Sequence, residues 1–304
     1  MPVSAEPVAG EVSDGLDALD APAPTAPSRA RRRRLRPPAA AAVAVLGVLL
    51  LWQAAYARGL STTLPSPSSV AAALAGTWRD GTLLPSLGHS LLRTGAGFVL
   101  SVVLGVLTGL LVHRVRPARE VLSPVLSALQ SLPAAGLVPL AVVVLGESEG
   151  AVYAVVLLGA VPPVALGLAG ALGRIPPLLL RAGRSLGAHG LPYVRHILLP
   201  AALPGLVAAL RQGWTFGWRA LMTAELITTA PLPGVGQLLD SGKQQDDTAL
   251  VLAAVLLILA VGVVVESAVF APVERRVLRI RGLLPDRATS GPDRPRPSRK
   301  VRVP

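Results

Sequence analysis

Four polar residues, Arg211, Thr215, Arg219 and Thr223, recur every fourth position in an otherwise apolar stretch that also carries Gln212 and Glu225. On an α-helix that spacing places all four on one face. Guanidinium groups bind oxyanions bidentately, so such a face suits a small anion. If the helix lies in a bilayer, ionisable groups on it are costly and turn toward a bundle interior or a water-filled path. A purely structural reading fits the same residues: Arg211 or Arg219 pairs with Glu225, Glu266 or helix carbonyls, or snorkels to an interface. The candidate path residues are therefore Arg211, Thr215, Arg219 and Glu225.

Covalent chemistry has little to stand on. There is no cysteine, hence no thiolate metal site, disulfide framework or cysteine nucleophile. No HExxH or GxSxG occurs. The nearest approach to a phosphate-binding loop, Gly242-Lys243, is followed by Gln244 and has Gln237 where the loop's first glycine would stand. No catalytic residue, cofactor or metal site is expected, and an intramembrane enzyme has no catalytic set to rest on.

A second cluster is "RAGRSLGAHGLPYVRHILLP", Arg181 to Pro200, with three arginines, two histidines and three glycines between long apolar segments. Leu178, Leu179, Ala182, Ser185 and Leu186 make one apolar-to-small helical face, with Arg181 and Arg184 on another. Gly187 and Gly190 break the pattern and Pro192 restarts it. A plain solvated loop and a lipid-headgroup patch are alternatives. The helix-turn-helix shape suits insertion into a cleft of another protein better than a lipid patch, which would be continuously amphipathic.

The elements that must carry these clusters are membrane spans. Of the 304 residues, 52% are hydrophobic and fall in long blocks. A bilayer-spanning helix needs roughly 20 apolar residues, since its backbone must be satisfied internally. Six blocks are candidates: 39–57, 90–112, 121–145, 151–172, 203–229 and 248–271. The first, behind "RRRRLRPP" and ending in "AYA", also resembles a signal peptide, but its length favours an uncleaved helix. Residues 58–88 read as an external loop with a short helix capped by Ser66 or Ser68, whose Val70, Leu74 and Trp78 share one face. In the second span, His89, Arg93, Gly97, Ser101, Gly105 and Gly109 recur every fourth residue, a small stripe suited to close helix packing. Pro133 and Pro139 interrupt the third span. Residues 1–38 and 283–304 read as disordered basic tails.

The formal net charge of +12 does not point to nucleic acid, because the arginines flank apolar blocks and are not interleaved with stacking aromatics. They alternate by side instead. The N-terminal run, the loop with Arg114, Arg116 and Arg119, the loop at 174–200 and the segment with Arg275, Arg276, Arg279 and Arg281 share one face, which the positive-inside rule makes cytoplasmic. Both termini then lie in the cytoplasm of a multi-pass plasma-membrane protein. Glu147, Glu149, Asp240, Asp246 and Asp247 fall on the other face.

The loop resembles the EAA signature of permease subunits of binding-protein-dependent ABC importers: EAA, three residues, Gly, nine residues, Ile, one residue, Leu-Pro. Here the register gives Arg181-Ala182-Gly183, then Gly187, Ile197, Leu199 and Pro200. Arg181 stands where the family has Glu, and Gly183 replaces the second Ala. "LPSPSSV", "LPAALPGLVAALR", "AELI" and "DDTALVLAAVLLI" extend the resemblance over about residues 60–282, toward the aliphatic-sulfonate, nitrate and taurine group. It implies an all-α membrane protein with a MetI-like, type I importer permease core at 89–282 and a cytoplasmic coupling helix. It further implies a second permease copy or paralogue, a cytoplasmic ATPase that docks on the loop and performs all ATP hydrolysis, an external solute-binding protein, and membrane lipid around the helices. The substrate it implies is a small anionic solute such as a sulfonate, nitrate or taurine, with a pyrimidine-type thiamine precursor also open. The alternative is a membrane scaffold or regulator that keeps the loop without transporting, for which the departure at Arg181 is the only support.

Overall fold

The computed structural model describes residues 37–60, 63–228 and 232–281, and these are helical with no strand among them. The tails expected at 1–38 and 283–304 lie outside the described residues, except that 37–38 open the first helix. The chain divides into two compact units, one ending at Trp52 and the other beginning at Gln53. Among described residues the first unit is the body of α1 (Pro37–Ala57), an apolar helix.

The second unit holds α2 (Pro67–Arg79), α3 (Leu83–Arg114), α4 (Arg116–Ser131), α5 (Ala134–Leu145), α6 (Glu149–Gly173), α7 (Pro177–Ser185), the short α8 (Gly190–Tyr193), α9 (Leu199–Ile227), α10 (Val235–Gln244), α11 (Thr248–Val265) and α12 (Ala271–Ile280). Single π-helical turns at Val194–Leu198 and Glu266–Phe270 join α8 to α9 and α11 to α12. Four helical stretches are long and apolar enough to cross a membrane: Leu83–Arg114, Glu149–Gly173, Val194–Ile227 and Thr248–Ile280. The α4–α5 pair makes a fifth if counted as one broken span, while α1 has a shorter apolar length. Helix length thus accounts for five of the six expected spans, and α1 falls below that measure.

α6 is the central element, packed most extensively against α9 and α3. Small residues bring the backbones together. A Cβ added at Gly97, Gly105 or Gly109 of α3 would come within 2.7 Å of Val156, Val164 or Ala165 of α6. On the opposite flank, a Cβ at Gly213 would lie 2.5 Å from Val164, and one at Gly167 2.5 Å from Ala209. Lipid supplies no hydrophobic drive between helices, so such close backbone approach and its dispersion contacts hold the bundle. The apolar core joins Val138 of α5, Val152 and Val156 of α6, Leu221 of α9 and Val235 of α10.

Outward faces are the reverse of a water-soluble protein's. Val143 is 84% exposed and Leu259 61%, within continuous apolar faces of α5 and α11. Apolar area of that extent on every outer helix requires lipid or another membrane chain. The third span breaks where it was expected to: α4 stops at Ser131, Leu132 and Pro133 are extended, and α5 leaves at 109° to α4. Proline lacks the N–H needed to continue the ladder and pushes the preceding residue out of the α region. Pro139 stays inside α5 and does not break it.

Candidate functional site

The loop after α6 is built around one contact. Gly183, buried on α7, leaves room for the Ile197 side chain, which lies where a Cβ at 183 would be. α7 starts on Pro177 and stops at Ser185, and Gly187, with a φ of +81°, turns the chain back. The Gly187 and Ala188 N–H groups donate to the Arg184 and Gly183 carbonyls at 3.0 and 3.1 Å. This is a glycine-terminated helix end, with the left-handed residue where L side chains are disfavoured. Gly190, φ +60°, makes the second turn. Arg184 sits over the Tyr193 ring, 5.6 Å from its centroid. Arg181 and Ala182 are exposed, as are Leu199 at the start of α9 and, to a lesser degree, Pro200. The apolar face read from the sequence is left uncovered: Leu178 is 72% exposed and Leu186 87%.

Arg211, Thr215, Arg219 and Thr223 all lie on α9, but they meet different surroundings. Arg211 Nε donates to Glu266 Oε2 at 2.9 Å, and its Nη1 donates to Glu274 Oε2 at 3.1 Å. It ties α9 to the turn between α11 and α12. The Thr215 and Thr223 hydroxyls donate to the carbonyls of Arg211 and Arg219, at 3.0 and 2.9 Å. Arg219 is exposed, with its guanidinium 6.0 Å from the centre of the Phe216 ring. It lines a cavity of about 380 Å³ under the α4–α5 break, together with Gln130, Pro133, Leu137 and Thr223.

Glu225 does not join that cavity. Fully buried, it takes part in a polar knot centred on Arg93 of α3, which is 2% exposed. Arg93 Nη1 donates to Glu225 Oε1 at 2.9 Å, and Nε donates to Glu149 Oε2 at 2.8 Å. Nη2 reaches Glu149 Oε1 and, at 2.8 Å, the Leu232 carbonyl. The Ser90 hydroxyl lies 2.7 Å from Glu225 Oε2 and accepts the Val235 N–H at 2.9 Å. The Gly236 N–H donates to Glu225 Oε2 at 3.0 Å, and a Cβ on Gly234 would fall on the Glu225 carboxylate. The knot therefore fastens the start of α10 and the residue Leu232 before it onto α3, the start of α6 and the end of α9. No buried side-chain polar atom among the described residues lacks a partner.

Of the pairings weighed from sequence, Arg211 with Glu266 is present. Glu225 is paired with Arg93, not with Arg211 or Arg219. Sequence reasoning placed Arg93 in the small stripe and Glu149 in an external loop without joining them. The available signal was a lone arginine in an apolar span, which demands a carboxylate at the same end of the bundle.

The helix bundle carries its helix-turn-helix loop between its two most extensively packed helices, α6 and α9. Residues 101–279, more than half of the chain, match the family described as "binding-protein-dependent transport system inner membrane component". The chain belongs to this family. It is similar to the bicarbonate transport system permease protein CmpB of Synechococcus elongatus, 28% identical over 248 residues covering 77% of this chain and 87% of that one. The taurine transport system permease protein TauC of Escherichia coli is 29% identical over 233 residues, covering 74% and 84%. Among solved structures, an inward-facing MetNI methionine ABC transporter chain matches with a TM-score of 0.54 and 25% identity, over 64% of this chain and 95% of that one. The chain is thus a multi-pass permease with the MetI-like fold, and the family is a transport component and not a catalytic enzyme.

Proposed function

We propose that this permease subunit of an ABC importer carries a small oxyanion, coupled through the 174–200 loop to a separate cytoplasmic ATPase. The observation that carries the coupling is the loop's construction. Gly183 locked on Ile197 makes α7 a rigid knob, and its uncovered Leu178 and Leu186 edge has no use in the isolated chain. A rigid apolar knob rimmed by Arg181 and Arg184 fits a cleft in a protein partner. Because Arg181 is a cation where the family has an acid, that cleft is acidic or neutral at the knob's leading edge.

The substrate class rests on the relatives: CmpB is named for bicarbonate and TauC for taurine. Each solute presents an oxyanion. Delivery by an external solute-binding protein is supported by the family's description as binding-protein-dependent, and pairing with a second permease copy or paralogue belongs to the same proposal. Termini in the cytoplasm follow from the arginine distribution. In this reading ATP-driven closure of the ATPases shifts the bundle between inward-open and outward-open states. In this reading Arg219 lines the opening, Thr215 lies one turn away on the same face of α9, Arg211 braces the opposite end of α9, and Glu225 closes the end next to α10. The non-transporting scaffold is not favoured, because the matching relatives are transport permeases.

The test is co-purification of the full chain with its neighbouring ATPase. Wild type is expected to hold the ATPase and alter its hydrolysis. Leu186→Glu, at a position 87% exposed, should release it without unfolding the chain; retention of the ATPase by that variant would remove the coupling assignment.

A further inference from the structure

Three arginines lie within the long apolar helices away from their ends: Arg93, Arg211 and Arg219. The first two are each held by two carboxylates. Arg219 forms no ion pair among the described residues, and its neighbour is an aromatic ring on its own helix. An unpaired guanidinium on a membrane helix is costly unless something recurrently satisfies it.

The space it borders has the makings of a site. The cavity of about 380 Å³ is walled by Leu129, Leu132, Pro133 and Ala134 at the α4–α5 break and by Phe216 and Ala220 of α9. Small-molecule sites begin at roughly 300 Å³ and combine apolar walls with a few polar groups. Two donors are uncommitted here: the Arg219 guanidinium and the Gln130 carboxamide, which has no hydrogen bond among the described residues. Thr223 adds a hydroxyl oxygen whose proton is given to the Arg219 carbonyl. At the break the carbonyl end of α4 meets the amide end of α5, so their partial charges oppose each other. The sign of the site is then set by Arg219.

We propose that this cavity is an oxyanion-binding site of the permease, with Arg219 as the charge partner and Gln130 as the second donor. It rests on the transport reading and deepens it. Arg219 stands about 9 Å along α9 from Glu225, six residues at 1.5 Å each. The Arg93–Glu225 knot therefore closes the bundle roughly two turns beyond the site. One guanidinium and one amide give weak binding, which suits a solute that must also leave.

The full chain in lipid nanodiscs is titrated calorimetrically with sodium nitrate, sodium bicarbonate and sodium ethanesulfonate, with choline chloride as the control. At least one oxyanion is expected to saturate. Arg219→Gln should weaken that oxyanion about tenfold or more, and Gln130→Leu a few-fold, while Arg219→Lys recovers part of the loss. All variants should melt with wild type, since Arg219 holds no other element. Undiminished binding to R219Q, or no saturation by any of the three anions, overturns the site. Uptake separates this from the transport reading. If proteoliposomes with the ATPase show ATP-driven oxyanion uptake unaltered in R219Q, the site is wrong and the permease stands. If wild type binds the anion but shows no ATP-driven uptake, the site stands and the permease reading fails.

Discussion

Replacing Arg93 by alanine should be among the most damaging single changes available in this chain. The substitution removes hydrogen bonds to Glu225, Glu149 and the Leu232 carbonyl. It leaves the Glu225 carboxylate with no exposed surface and only the Ser90 hydroxyl and Gly236 N–H as partners. Breaking a buried pair from one side costs about 3–5 kcal/mol, because the remaining charge is uncompensated. Removing both charges is different: Arg93→Met with Glu225→Met should recover most of that loss, since an apolar pair of similar volume is often neutral. Thermal melting of the full chain in nanodiscs reads the effect. At roughly 2 °C per kcal/mol for a large domain, R93A should fall by about 6 °C or more. A shift under about 2 °C for R93A, or a double variant as unstable as the two singles added, would refute the reasoning.

Three further outcomes follow from packing and charge. Gly105→Ile drives a side chain into Val164, 2.7 Å from where its Cβ must sit, and should cost about 1–3 kcal/mol or abolish expression, read by yield and melting. Arg211→Gln breaks a pair whose guanidinium is 44% exposed, so its melting loss should stay within about 1 kcal/mol, far below that of R93A. Arg181→Glu should weaken co-purification of the ATPase a few-fold while leaving the melting temperature unchanged, because Arg181 is exposed and the inferred cleft is acidic or neutral; stronger binding by R181E would reverse the assigned charge of that cleft.

What the sequence could show was whatever one helix or one loop contains. The stripe at 97, 101, 105 and 109 is a property of a single helix, and its partner needed only to be another helix with a flat face. The spacing from Gly183 to Ile197 was legible because both lie in one loop, although the contact between them was not. The Arg93–Glu225 pair was hidden for the opposite reason. Its members are separated by 132 residues and meet only because α3 and α9 flank the same α6. Within α9 the four-residue period was real, yet periodicity could not tell that Arg211 would be neutralised by Glu266 and Glu274 and Arg219 left open. The two prolines of the third span looked alike in sequence, but only Pro133 breaks it; Pro139 is accommodated within a helix whose outer face is apolar.

The central claim, that this chain is the membrane path of an ATP-driven importer, is tested most directly by reconstitution. Proteoliposomes containing the full chain, its neighbouring ATPase and the neighbouring solute-binding protein should accumulate a labelled oxyanion only when ATP is supplied on the ATPase side. Accumulation that is independent of ATP, or ATP-driven accumulation that persists when this chain is omitted, would contradict it.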